Sequence, residues 1–254
     1  MNGLYAEVIG DPVAHSKSPL IHRFWLGKLG IDADYRTFHV RPAELAGYVA
    51  RRREDAGWRG CNVTIPHKQA IVPLADRLAP EASRVGAVNT LVATGADLIG
   101  HNTDVAGIRE ALAGLMHAGA ERHRIEVIGS GGAARAAAAA FPGAAITFVN
   151  RSLDKAEQLA GEVSQGSGSG RAESLAEWRA GAAPHDCTIA VNASSMGMAG
   201  QPEVPIDLRR YAPDTIVFDM VYAPLETGLL RAARQRGMRT VDGLAMLVGQ
   251  AAAA

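Results

Sequence analysis

The sequence predicts an α/β fold with mostly parallel strands, divided into two domains. Short apolar runs rich in β-branched residues alternate with longer stretches of helical spacing. At 254 residues, 48% of them hydrophobic, the chain is long enough to bury one large core or two modest ones. The texture also restarts near residue 103, where a helical stretch leads into a second series of strands.

"YAEVIG" (5–10), "YRTFHV" (35–40) and "GCNVTI" (60–65) read as the first strands. Between them "SPLIHRFWLGKLG" predicts a helix capped by Ser18 with Pro19 in its first turn, and "PAELAGYVARRRE" a second helix. Arg51, Arg52 and Arg53, next to Glu54 and Asp55, read as the exposed face of that helix end. "AVNTLVA" and "DLIGHN" predict a hairpin around Thr94, Gly95 and Ala96. After Asp104, "VAGIREALAGLMHAGA" reads as a helix, followed by the strands "RIEVIG", "AITFVN", "CTIAVN" and "TIVFDM". "SQGSGSG", Ser164 to Gly170, reads as a flexible surface loop inside the second domain.

The 26 basic and 26 acidic residues cancel, so no net field is available to hold nucleic acid or an anionic membrane, and neither partner is expected. Cys61 and Cys187 are too few and too far apart for a disulfide framework, and no paired Cys/His spacing suggests a metal site. A reducing, cytoplasmic setting fits, since the N-terminus shows no basic leader and no stretch approaches a membrane span. Only four of the 26 basic residues are lysines: Lys17, Lys28, Lys68 and Lys155. Lysine, unlike arginine, can lose its proton when its surroundings demand it. That draws attention to Lys68, placed in "NVTIPHK" just past the end of an apolar strand.

"RIEVIGSGGAARAAAAAF" sets a strand directly before Gly129, Ser130, Gly131, Gly132, Ala133 and Ala134, and an alanine-rich helix directly after them. This is G-x-G-x-x-A in the strand, turn and helix setting of the dinucleotide fingerprint, so the second domain is expected to be doubly wound, of the Rossmann type. Missing side chains let backbone N–H groups approach a pyrophosphate at a helix N-terminus. The next strand ends in Asn150, Arg151 and Ser152, where NAD-binding folds place an acid; an arginine suits a 2′-phosphate, hence NADP.

Nine stretches together resemble one family: "VIGDPVAHSKSPLIH" (8–22), "NVTIPHK" (62–68), "GAVNT" (86–90), "GHNTD" (100–104), "GSGGAARA" (129–136), "NRS" (150–152), "NASSMGM" (192–198), "DMVYAPLET" (219–227) and "DGLAMLVGQ" (242–250). In order and content they resemble the shikimate dehydrogenases, NADP-dependent enzymes that interconvert 3-dehydroshikimate and shikimate on the way to chorismate. The resemblance implies a soluble oxidoreductase of small-molecule substrates, monomer or homodimer. It implies a substrate domain of residues 1–103 completed by 237–254, an NADP-binding Rossmann domain of residues 104–236, and catalysis in the cleft. It also implies that Ser16 and Ser18 hold the substrate carboxylate. Thr64, Asn89, Asp104, Tyr222 and Gln250 match the family's other substrate ligands, and Lys68 and Asp104 its catalytic pair. For the cofactor, Gly129, Ser130, Gly131, Gly132 and Ala133 match the phosphate loop, Asn150, Arg151 and Ser152 the 2′-phosphate contacts, and Met220, Gly243 and Met246 residues near the nicotinamide. One departure is that family members run on past the glutamine of the last motif, whereas Gln250 is followed here by four alanines.

Read without the family, the same residues have plainer roles: Ser16 and Ser18 a capped helix start, Asp104 a helix cap, Asn89 a turn former, Gln250 a surface residue, Met246 a core residue. The chemistry accepts the implied roles. Hydride transfer to a carbonyl needs a proton donor, and the reverse needs an acceptor. At lysine's ordinary pKa roughly 1 in 2,500 amines is neutral at pH 7. Lys68 is therefore a ready acid for reduction, while oxidation needs a perturbed amine or help from Asp104. A relative that prefers quinate or uses NAD, and a catalytically silent NADP-binding regulator, are the competing readings; Arg151 argues against the first and the Lys68/Asp104 pair against the second.

Overall fold

The computed structural model describes residues 3–115, 123–166, 168–181 and 186–254. They form two compact units: residues Met1–Asp104 with Gln250–Ala254, and residues Val105–Gly249.

The first unit is built on strands β1 (Leu4–Gly10), β2 (Ala33–His39), β3 (Trp58–Val63), β4 (Arg77–Leu78), β5 (Thr90–Thr94) and β6 (Asp97–His101). They make one sheet in the order β2-β1-β3-β5-β6-β4. β1 is parallel to both neighbours, while β3, β5 and β6 run antiparallel in turn, so the expected hairpin closes with Thr94 opposite Asp97. Helices α1 (Ser18–Leu29), α2 (Leu45–Arg53) and α3 (Pro80–Val85) complete the unit. Its core holds Ile9, Tyr48, Trp58, Ile71 and Leu91.

Two local expectations for this unit are corrected. Ser18 is the first residue of α1 rather than its cap; Lys17 occupies the cap position without a side-chain bond, and the Ser18 N–H donates to Ser16 Oγ at 3.3 Å. Nor is the arginine run only a solvated face. Arg52 reaches inward to the buried carboxylate of Glu7 (Nε to Oε1 2.5 Å), and Arg53 makes a fork to Asp76 at 2.7 and 3.0 Å. A charge as buried as Glu7 needs such a partner.

The second unit contains β7 (Arg124–Ile128), β8 (Ala145–Asn150), β9 (Ser169–Ser174), β10 (Ile189–Asn192), β11 (Ile216–Asp219) and β12 (Thr240–Val241). All pairings are parallel, in the order β9-β8-β7-β10-β11-β12. The chain starts at the centre, winds out one way, then restarts beside β7 and winds out the other, which is the doubly wound Rossmann order. β10 and β11 are buried at every position, as strands covered on both faces must be. Helices α5 (Gly132–Ala140), α6 (Leu153–Gln165), α7 (Leu175–Ala180) and α8 (Gly228–Gln235) cross between the strands.

Where "SQGSGSG" suggested a loop, Ser164 and Gln165 close α6 and Ser169 opens β9. The glycine content has a packing cause, because a Cβ on Gly170 would lie 2.1 Å from the carbonyl oxygen of Ala160 on α6. Helix α4 (Asp104–Ala111) begins as expected; residues 116–122 of the longer predicted helix lie outside the described residues. α9 (Gly243–Ala252) ends the chain. The sequence-based division closed the second domain at 236, whereas β12 is hydrogen-bonded into the second sheet and the contacts return to the first unit at Gln250. No helix among the described residues is long and apolar enough to cross a membrane.

Candidate active site

Lys68 is carried by the turn that leaves β3. The Thr64 N–H donates to the Ile9 carbonyl at 2.9 Å, and the His67 N–H returns to the Thr64 carbonyl at 2.9 Å. The buried His67 ring anchors the turn, with Nε2 2.6 Å from the Val40 carbonyl. The Lys68 carbonyl accepts the Val88 N–H at 2.7 Å, which ties the turn to the segment entering β5. Gly10 is required beside it, since a Cβ there would sit 2.4 Å from Thr64 Cγ2.

This framework leaves Lys68 Nζ 2.5 Å from Asp104 Oδ2, with side chains only 16% and 3% exposed. Asp104 opens α4, where the positive end of the helix favours a carboxylate. Its N–H is taken by Asn102 Oδ1 at 3.1 Å, so its own oxygens face the lysine and Asn89. Asn89 is almost fully buried and is the centre of the cluster. Its amide nitrogen lies 3.0 Å from Asp104 Oδ1, 3.0 Å from Gln250 Oε1 and 2.9 Å from Thr103 Oγ1. Lys68, Asn89, Asp104 and Gln250, more than 180 residues apart at the extremes, are thus joined in one hydrogen-bonded group. Sequence reasoning missed Asn102 and Thr103 as its supports; their place in "GHNTD" was the available signal.

Ser16 and Ser18 lie where the β1 loop becomes α1, the first half-buried and the second buried. Ser18 lies against the phenol of Tyr35, whose pKa burial pushes upward while the serine opposes the shift. Thr64 is half-buried on the Lys68 turn. Tyr222, by contrast, stands in the second unit, on the segment after β11.

In the second unit Gly129 leaves β7 with φ +118°, and a Cβ on it would meet the Ala193 carbonyl oxygen at 3.0 Å. Gly131 precedes α5 in an extended conformation with no side-chain cap, so the first N–H groups of the helix are open to an anion. Asn150, at the end of β8, donates to Ser130 Oγ at 2.8 Å and to the Ser152 carbonyl at 3.1 Å, tying the glycine turn to the start of α6. Next to it Arg151 is exposed and, among the described residues, pairs with no carboxylate. Ala133 lies in the first turn of α5. A side-chain-free turn, an uncapped helix and a spare guanidinium suit a phosphorylated dinucleotide.

Behind these loops lies a buried network that the sequence did not reveal. The Asp219 carboxylate accepts bonds from Asn192 Nδ2 (2.9 Å), the Val221 N–H (3.0 Å) and Thr227 Oγ1 (2.6 Å). Burial raises its pKa against those bonds. The network fixes the segment carrying Met220. Gly243 presses on that segment so closely that a Cβ would lie 2.4 Å from the Met220 carbonyl oxygen. Asp242 caps α9 at the Leu244 and Ala245 N–H groups, and Met246 is buried one turn on.

The chain is 50% identical to the NADP-dependent shikimate dehydrogenase of Sphingopyxis alaskensis, over 98% of its own length and 89% of the relative's. It belongs to the shikimate dehydrogenase family. The family model for the shikimate dehydrogenase substrate binding domain matches residues 8–91. The enzyme of the same name from Acidiphilium cryptum is 45% identical, over 97% of this chain and 87% of the relative. Among solved structures, the Thermus thermophilus shikimate 5-dehydrogenase in complex with NADP(H) and shikimate is 35% identical, with a TM-score of 0.84 over 98% of this chain and 91% of that one. The Listeria monocytogenes shikimate 5-dehydrogenase in complex with shikimate and NAD is 31% identical, with a TM-score of 0.85 over 99% of this chain and 90% of that one.

Proposed function

We propose that this protein catalyses the reversible NADPH-dependent reduction of 3-dehydroshikimate to shikimate. The observation that carries the reading is the Lys68–Asp104 pair, held by Asn89 and Gln250 in a chain whose relatives bear this name. NADP(H), when bound, supplies or takes up the hydride; the protein supplies position and protons. Lys68 donates a proton to the carbonyl oxygen being reduced and, with Asp104, receives it in the oxidative direction. The short contact to Asp104 orients the ammonium, and Asn89 restrains the carboxylate from the other side.

The first unit takes the role of substrate domain: Ser16 and Ser18 hold the carboxylate, and Thr64, Asn89, Asp104 and Gln250 hold the ring oxygens; Tyr222, in the second unit, keeps the substrate-binding role that the resemblance implies. The second unit takes that of nucleotide domain. There the turn from Gly129 to Ala133 receives the pyrophosphate, Asn150, Arg151 and Ser152 the 2′-phosphate, and Met220, Gly243 and Met246 line the nicotinamide. A cytoplasmic location accords with two buried free cysteines, and the working state is a monomer or homodimer acting on small molecules alone. Absorbance at 340 nm, followed with shikimate and quinate against NADP and NAD, tests the reading. Efficient turnover is expected with shikimate and NADP; no turnover of shikimate with either cofactor would reject it.

A further inference from the structure

Asn89 is a side chain whose usefulness depends on which way its amide faces, and the polarity of the surrounding bonds decides that. The Thr103 backbone N–H, which can only donate, lies 2.8 Å from Asn89 Oδ1, so the oxygen faces Thr103 and the nitrogen faces Asp104. A second chain of hydrogen bonds reaches the same oxygen. Tyr35 Oη donates to Asn62 Oδ1; Asn62 Nδ2 donates to Thr90 Oγ1 at 3.0 Å; and Thr90 Oγ1 donates to Asn89 Oδ1 at 3.1 Å. Asn62 Nδ2 also lies 3.5 Å from the Asn89 backbone carbonyl, which can only accept and so fixes the Asn62 amide as well. The single proton of Thr90 is left with one use. Tyr35, Asn62, Thr90 and Asn89 are all buried, at 3%, 8%, 6% and 1% exposure, so water does not replace a missing member.

We propose that Thr90 is a positioning residue for the reaction: its hydroxyl, oriented by Asn62, holds the Asn89 amide with its nitrogen toward the Asp104 carboxylate and Gln250. The inference rests on the reading of Lys68 and Asp104 given above. Thr90 touches neither the ammonium nor the carboxylate, and its effect passes entirely through Asn89.

The test uses the full-length protein with shikimate and NADP. Thr90→Val keeps the shape and deletes the hydroxyl; it should lower kcat/KM for shikimate by ~10-fold, the scale of one buried hydrogen bond, with KM for NADP unchanged. Thr90→Ser should restore activity to within about threefold. In an Asn89→Ala background the valine should add less than about twofold, because the group it acts through is gone. Should Thr90→Val not fold, Thr90→Ala carries the same comparisons. Wild-type kinetics in the valine variant, a loss that serine does not rescue, or equal losses in both backgrounds would each overturn the role of Thr90. A wild-type protein inert toward shikimate would overturn instead the functional reading on which it rests.

Discussion

Replacing Lys68 by methionine keeps an unbranched chain out to the Cε position and removes the charged amine. A positioned acid or base contributes 10²- to 10⁴-fold, so kcat should fall by about that factor. The effect on stability follows from the geometry. Breaking a fully buried ion pair costs about 3–5 kcal/mol by stranding a charge. Here Asp104 retains the Asn89 amide at 3.0 Å and its place at the start of α4, and the lysine is 16% exposed, so ~2 kcal/mol is the better figure. For a protein of this size that is a fall of ~4–8 °C in Tm. Asp104→Asn should cost less stability, since it strands the partly hydrated lysine rather than the buried carboxylate, yet lose comparable activity. Binding of NADP, followed by nicotinamide fluorescence quenching or calorimetry, should be unchanged in both. A folded Lys68→Met protein with kcat within about threefold of wild type would refute the argument, because no general acid–base role of that size would remain.

Arg151→Ala should remove most of a strong preference for NADP over NAD, chiefly by raising KM for NADP, since a guanidinium that pairs with no carboxylate among the described residues suits the extra phosphate; equal wild-type use of the two cofactors would reject that role. Gly243→Ala drives a methyl into the Met220 backbone and should destabilise by ~1–3 kcal/mol, read as a lower Tm; an unchanged melting curve would show that the segment yields freely. His22 stacks on Tyr35 at 4.2 Å, and burial lowers its pKa from 6.5 to about 4. The folded protein therefore refuses a proton that the unfolded chain accepts: stability is complete above pH 6.5, falls as pH drops toward 4 and levels below it. The whole span would be worth ~3 kcal/mol, reduced to ~1–2 by the ring's partial exposure. Urea unfolding at pH 7 and 4.5 should show His22→Phe losing less stability than wild type by that amount, and identical losses would mean that the ring is not desolvated.

The alternation of strand and helix was legible because the central strands of the second unit, β7, β10 and β11, are buried on both faces and are therefore largely apolar. The glycine turn after β7 was legible because only missing side chains allow Gly129 to pass Ala193. What could not be read was any residue whose meaning depends on a distant partner. Asn89 looks locally like a turn former, and it becomes the hub of a site only when β5 pairs with β3 and α9 delivers Gln250. Arg52 looks like surface charge until Glu7, 45 positions away, is found beneath it. β9 was hidden for the opposite reason: the small residues that let it lie against α6 are those that usually signal a loop.

The first unit is discontinuous, its last five residues arriving only after the whole second unit has been made. During synthesis the ion pair of Lys68 and Asp104 becomes available once residue 104 has left the ribosome. The amide of Gln250 follows many seconds later, at translation rates of roughly 5–20 residues per second. Through that interval Asn89 waits with one of its partners missing. A nascent chain can thus own the Lys68–Asp104 pair before it owns the whole hydrogen-bonded cluster, and completion of the cluster is timed by the making of the other unit.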